Sequence, residues 1–199
     1  MRVSREQASR NRQKIVSAAS RMFRERGIAA TGVDAITSDA GLTHGAMYSQ
    51  FESKEAITAE AVSSALAQSE RLWRRLIERD GPARAFAAIV EQYLSKDHRD
   101  SAGRGCVVAA LGSEIARQSP SVRDAFTTEL KKALKFISRV TPARDTSRAY
   151  DDAIAAFVSM AGALILARAV SDRTLSNRIL KSTAERVIRR SRSKRESSR

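Results

Sequence analysis

The segment from Arg12 to Lys54, RQKIVSAASRMFRERGIAATGVDAITSDAGLTHGAMYSQFESK, constrains the fold more than any other part of the chain. Ile15, Ala18, Ala19, Met22 and Phe23 recur at helical spacing and so share one face. Arg10, Arg12, Lys14, Arg21 and Arg24 take the rest of that helix's surface. Gly27 closes it, at the point where a left-handed backbone is needed and a Cβ is unwelcome. Thr31 is read as opening a second helix, its hydroxyl capping free N–H groups, with Asp34 completing a capping box. Ile36 and Ala40 point inward, Gly41 permits a tight turn and Leu42 enters the small core. Thr43 starts a third helix, which must be short because Ser53 caps another at Lys54. Two short helices joined by a glycine turn, braced by a longer amphipathic one, are written like a helix-turn-helix. In that unit one helix enters a major groove while another holds it against the backbone.

The third helix carries His44, Gly45, Ala46, Met47, Tyr48, Ser49 and Gln50. Small side chains near its start let a backbone come close to a groove. Lys54 stands at the next helix N-terminus, where the dipole already favours a phosphate. The formal net charge of +14 suits a polyanionic partner. Residues 186–199 hold seven Lys/Arg against one Glu, in a Ser/Arg-rich tail with few apolar residues. The composition predicts fraying or disorder past about Arg190. Such a tail either adds nonspecific DNA affinity or only solubilises.

From Lys14 to Ile57 the chain resembles the tetracycline-repressor (TetR) family of bacterial transcription regulators. The resemblance rests on Ala18–Ala19, Phe23, Gly27 to Thr31, the Ala40 to Gly45 turn, and the Tyr48–Phe51–Lys54 close. It departs at Thr37, where the family usually has Ala, and at Gln50, often His; both spare the scaffold glycines. The resemblance covers about a quarter of the chain. It implies an all-α protein of about nine helices in three parts. Residues 1–53 are expected to form the DNA-binding domain and 54–190 an effector-binding and dimerisation domain, with 191–199 as the basic tail. Thr43, His44 and Ala46 are then the expected base contacts, with Gly45 allowing close approach. Thr31, Tyr48, Ser49 and Lys54 are expected on phosphates, and Arg10, with Arg2 and Arg5, on an N-terminal arm.

Few Gly and Pro, abundant Ala and no period-2 alternation independently favour helices. Lys54 to Arg79 reads as one long helix, stopped at Asp80-Gly81-Pro82. A second begins at Pro82, Ser95 to Gly105 reads as a polar loop, and further helices run from about Cys106, Pro120, Asp145 and Arg173. The helix near 145–170 is apolar nearly all round and must be covered on two sides. One side is assigned to the monomer core and the other to a second copy. Ile154, Phe157, Val158, Ala161, Gly162 and Ile165 are the interface residues expected there, with Leu175 and Ile179 from the last helix. The alternative is one buried core helix in a monomer. The run Ala153 to Ala167 falls short of the ~20 residues that span a bilayer.

A small-molecule pocket is implied mostly by the resemblance. Trp73, Leu76, Phe86, Tyr93, Val107, Leu111, Phe126 and Leu130 are its expected walls, with Glu114 as a polar contact. The expected effector is small and hydrophobic. Cys106, at a helix start, is either an electrophile-sensing thiol or a small packed residue. One cysteine excludes an internal disulfide and suits a reducing cytosol, and the polar N-terminus argues against a secretory signal. Two distant histidines and no nucleophile–base set leave an enzyme or a metal or cofactor site without support. The reading is a cytoplasmic, homodimeric regulator of transcription. It binds a palindromic operator in double-stranded DNA and is released by an effector. A constitutive dimeric DNA-binding protein is the alternative.

Overall fold

The computed structural model describes residues 4–142 and 148–196. Ten α-helices follow one another: α1 (Arg5–Arg26), α2 (Val33–Asp39), α3 (His44–Tyr48), α4 (Lys54–Asp80), α5 (Ala85–Tyr93), α6 (Lys96–Asp100), α7 (Val107–Ile115), α8 (Pro120–Val140), α9 (Ala149–Ala169) and α10 (Arg173–Glu196). A short 3-10 turn, Ala102–Arg104, leads into α7. No strand forms among the described residues.

Two apolar cores hold the chain together. The first joins α1, α2 and α3 to the first half of α4 and to α7. Ile15, Ala19, Phe23, Ile36, Met47 and Ile57 meet Val107, Leu111 and Ile115 there. The second joins the far half of α4 to α5, α8, α9 and α10 around Trp73, Ile89, Tyr93, Ile137, Met160 and Leu164. Helix α4 therefore belongs to both, packing against α1 at one end and α8 along its length. Each large side chain sealed in this way contributes about 1.5–3 kcal/mol of hydrophobic stabilisation.

The punctuation residues act largely as the sequence predicts. Gly27 (φ 88°) and Gly81 (φ 80°) end α1 and α4 in left-handed backbone, and Gly41 (φ 66°) makes the turn between α2 and α3. Ser4, Thr43, Ser53 and Ser95 cap α1, α3, α4 and α6 through their hydroxyls.

Several expectations are corrected. Gly32, not Thr31, is the N-cap of α2, and no side chain caps that helix. The Thr31 hydroxyl instead donates to Gly27 O at 2.7 Å, closing the turn out of α1. The polar stretch 95–105 holds α6 and the 3-10 turn, which raises the helix count among the described residues to ten. Its polarity is misleading because Arg99 is buried, where it donates to Ser176 and Asn177 and pairs with Asp100. The last helix continues to Glu196 rather than fraying at Arg190. Arginine is a good helix former, and Val187 and Ile188 still pack on the second core. Residues 197–199, and the arm residue Arg2, lie outside the described residues.

Helix α9 spans 21 residues and is the one described helix long and apolar enough, by length and composition, to cross a bilayer. Its composition follows from packing: α7, α8 and α10 all contact it.

Candidate nucleic-acid interface and ligand cavity

Helix α3 is anchored from below and open above. Met47 is fully buried, while Thr43, His44, Gly45, Tyr48 and Ser49 are exposed and Ala46 is half-buried. The Tyr48 ring is 55% exposed and meets His44 edge-on at 4.9 Å. His44 Nε2 lies 3.1 Å from Asp34 Oδ1, so α2 orients the ring that leads the exposed face. The Ser49 hydroxyl donates to Ala46 O at 2.8 Å. At Gly45 a Cβ would meet nothing within 4 Å. The glycine is not required by the chain's own packing.

Other predicted contacts are already engaged within the chain. Thr31 is buried. Lys54 Nζ donates to Ile28 O at 2.7 Å and thus secures the α1–α2 connection. Arg10 pairs with Glu6 one turn earlier on α1. Arg12, read as a surface residue, locks the domain: its guanidinium lies 4.0 Å over the Phe51 ring and bonds to Gln50 O and Glu60. Only its long-range partners reveal this role, and a one-helix pattern cannot show them.

Glu114 is the largest departure from the expected pocket. Its Oε2 accepts from Ile28 N at 2.8 Å and from Ala29 N at 3.4 Å, so α7 grips the turn after α1. Val107 and Leu111 belong to the core shared with α1, with Phe126 packed against it. Leu76, Phe86 and Leu130 pack in or on the other core. None of these residues lines the cavity that Trp73 and Tyr93 share.

Two of the predicted pocket residues do share a cavity. Trp73 and Tyr93 line a space of about 250 Å³ between α4, α5 and the 98–106 segment, with Leu72, Gln68, Gln92, His98 and Cys106. Arg71, Arg75 and Arg104 complete the wall. The wall is thus more polar than the sequence suggests. His98 is fully committed: Nδ1 donates to Tyr93 O at 2.6 Å, and Nε2 accepts from Cys106 N at 2.9 Å. This fixes a neutral tautomer, and burial lowers its pKa. The Tyr93 hydroxyl is buried and has no hydrogen-bond partner. Burial pushes its pKa well up, and the neighbouring Cys106 thiol adds to this. Cys106 itself is buried.

The cavity is wired to α1. Arg24, buried and with its pKa lowered by desolvation, donates from Nε to Gly103 O at 2.8 Å. Gly103 immediately precedes the cavity residues Arg104, Gly105 and Cys106. Arg168 of α9 holds the same region from the other side, donating to His98 O at 2.8 Å and Arg99 O at 3.0 Å.

The predicted interface residues of α9 divide. Phe157 and Ala161 are buried inside the monomer, which corrects their assignment to the outer face. Val158 (63% exposed), Ile165 and Leu166 (56%) point outward. Ile154, Gly162 and Ile179 are half-buried, and Leu175 is exposed. Val158, Gly162, Leu166 and Ile179 line an open groove between α9 and α10. The outward face of α9 lies about one residue further along the chain than the predicted one.

Residues 15–61 match the bacterial regulatory proteins of the tetR family. Over 115 residues the chain is 30% identical to the uncharacterized HTH-type transcriptional regulator YxaF of Bacillus subtilis, covering 57% of this chain and 60% of that one. It is 30% identical over 118 residues to the HTH-type transcriptional repressor DhaR of a Mycobacterium species, covering 56% of each. The matches thus span less than two thirds of these relatives' length. The fold is similar to that of reduced NemR from Escherichia coli, with a TM-score of 0.74 at 18% identity over 89% of this chain and 94% of that one. The N-terminal segment thus matches the tetR family of bacterial regulatory proteins, and the helical fold as a whole is similar to that of a solved bacterial protein.

Proposed function

We propose that this chain is a ligand-responsive transcriptional regulator. It acts as a repressor, binds a palindromic operator as a homodimer in the cytoplasm, and is released by a small-molecule effector. The observation that carries the reading is α3. It is a short helix pinned by buried Met47, with an exposed polar face and a glycine that the chain's own packing does not need. Thr43, His44 and Ala46 would read base edges, while Tyr48 and Ser49 would hold phosphates. Lys54 reaches a phosphate only by giving up Ile28 O, so its contribution comes with a rearranged turn.

The dimer forms through the outward face of α9 and the adjoining face of α10. Exposed Val158 and Leu166 support this, since a monomer gains nothing from leaving them in water. Gly162 and Ser159 allow two backbones to approach. The two α3 helices would then enter successive major grooves on one DNA face.

Effector binding in the Trp73–Tyr93 cavity reaches DNA by two linkages. Displacement of residues 104–106 pulls on Gly103, and through Arg24 on α1. Movement of α7 pulls on Gly27–Ala29 through Glu114. Release follows only where the effector prefers the state with displaced α3 helices.

Selection of bound sequences from random DNA, followed by a small-molecule screen on the recovered site, tests the reading. A palindrome that one compound class releases is expected. A palindrome that no compound releases would leave a constitutive dimeric DNA-binding protein, and no enriched sequence would end the proposal.

A further inference from the structure

We infer that the Trp73–Tyr93 cavity recognises a small organic anion, a carboxylate that carries a second hydrogen-bond acceptor. This rests on the reading of the chain as a ligand-responsive regulator and adds the chemical class of ligand.

Two independent features point to it. The first is charge. Arg71 and Arg75, one helical turn apart on α4, and Arg104 from the opposite wall converge on the cavity, and no Asp or Glu lines it. Arg71 and Arg75 make no hydrogen bond or ion pair among the described residues, and Arg104 makes only a bond of 3.3 Å to Ser101 Oγ. Three arginines lining one concavity that no carboxylate lines favour an anion and disfavour the cationic alternative.

The second is Tyr93, which is 2% exposed and whose hydroxyl, beside the Cys106 thiol, makes no well-formed hydrogen bond. A buried hydroxyl without a partner is costly, and a bound acceptor removes the cost. His98 cannot serve, because both its ring nitrogens are bonded within the chain. Trp73 and Leu72 add apolar surface to the same space. The ligand that satisfies all three has a carboxylate for the arginines, a compact apolar body and an acceptor oxygen for Tyr93 Oη. The volume of about 250 Å³ accommodates one small ring with its substituents.

The test is isothermal titration of the full chain with three probes: 4-oxocyclohexanecarboxylate, cyclohexanecarboxylate and 4-oxocyclohexanecarboxamide. The first should bind most tightly and the neutral amide at least about tenfold more weakly, as a lost charge-assisted hydrogen bond implies. Arg71→Gln with Arg75→Gln, both at exposed positions, should remove the preference for carboxylate over amide. Tyr93→Phe should remove the preference for the oxo acid over cyclohexanecarboxylate while leaving carboxylate binding. Quenching of Trp73, the single tryptophan, places the ligand in this cavity. Equal binding of acid and amide, or no binding of any probe, overturns the inference. Binding of the oxo acid by the wild type, without release of DNA in a parallel mobility shift, would refute ligand control but not the anion site. Release of DNA by neutral compounds alone would do the reverse.

Discussion

Substitution of Glu114 by Ala isolates the link between the two halves of the chain. Its carboxylate holds the Ile28 and Ala29 N–H groups at 2.8 and 3.4 Å, and no other hydrogen bond among the described residues engages those donors. The shorter bond is well formed and the longer one marginal. A hydrogen bond to a charged group is worth about 1.5–3 kcal/mol. The carboxylate is only half-buried, so the lower part of that range applies and the expected loss is about 2 kcal/mol. For a chain of this size that lowers Tm by about 4–8 °C. Glu114→Gln keeps an acceptor oxygen but loses the charge, and should cost about half as much. Urea denaturation gives the stability change, and amide hydrogen exchange at Ile28 gives its location. Faster exchange at Ile28, with that at Ile89 in the other core falling only by the global loss, is the expected pattern. A stability change under ~0.5 kcal/mol with unchanged exchange at Ile28 would show that Glu114 does not grip the turn, and would remove one of the two proposed linkages.

Other outcomes follow from the same geometry. Tyr48→Phe and Lys54→Ala should weaken DNA binding on every sequence, and Lys54→Ala should flatten the salt dependence by about one unit; fluorescence anisotropy over a salt series measures both. His44→Ala should alter base preference at one or two positions while leaving the salt slope unchanged, which a repeated sequence selection detects. Gly162→Trp should give monomers by analytical ultracentrifugation without loss of the monomer fold, because a Cβ at Gly162 meets nothing within 4 Å in the chain itself. His98 is held neutral in the fold, with its pKa lowered by burial. Below the unfolded histidine value of about 6.5 the unfolded chain binds the extra proton first, so stability should fall as pH drops from 7 toward 5. Denaturation at both pH values should show a smaller drop in His98→Gln.

The N-terminal helices were legible because their signals are local. Ile15 to Phe23 declare a face, and Gly27 and Gly41 mark turns that demand positive φ. Thr31 misled for a local reason too: a hydroxyl near a helix start can turn back, here to Gly27 O, and leave the cap to Gly32. The two-core organisation was not legible. Nothing in VVAALGSEI tells that Val107 and Leu111 pack against α1, because α1 and α7 are distant in the chain and meet only in the folded core. Glu114 and Arg12 were missed for the same reason, since their partners lie 86 and 48 residues away. On α9, an apolar surface nearly all round offers no polar stripe to set the phase. Phe157 and Val158 are adjacent in sequence, and only packing separates the buried one from the exposed one.

Hydroxyl-radical footprinting on a selected operator tests the central claim most directly. Two α3 helices docked as a symmetric pair should protect two backbone patches on one face, their centres about one helical turn, 10–10.5 base pairs, or a multiple of it apart. Gly162→Trp should erase the pattern at the same protein concentration. A single protected patch, or uniform protection without phase, would contradict the paired-helix account.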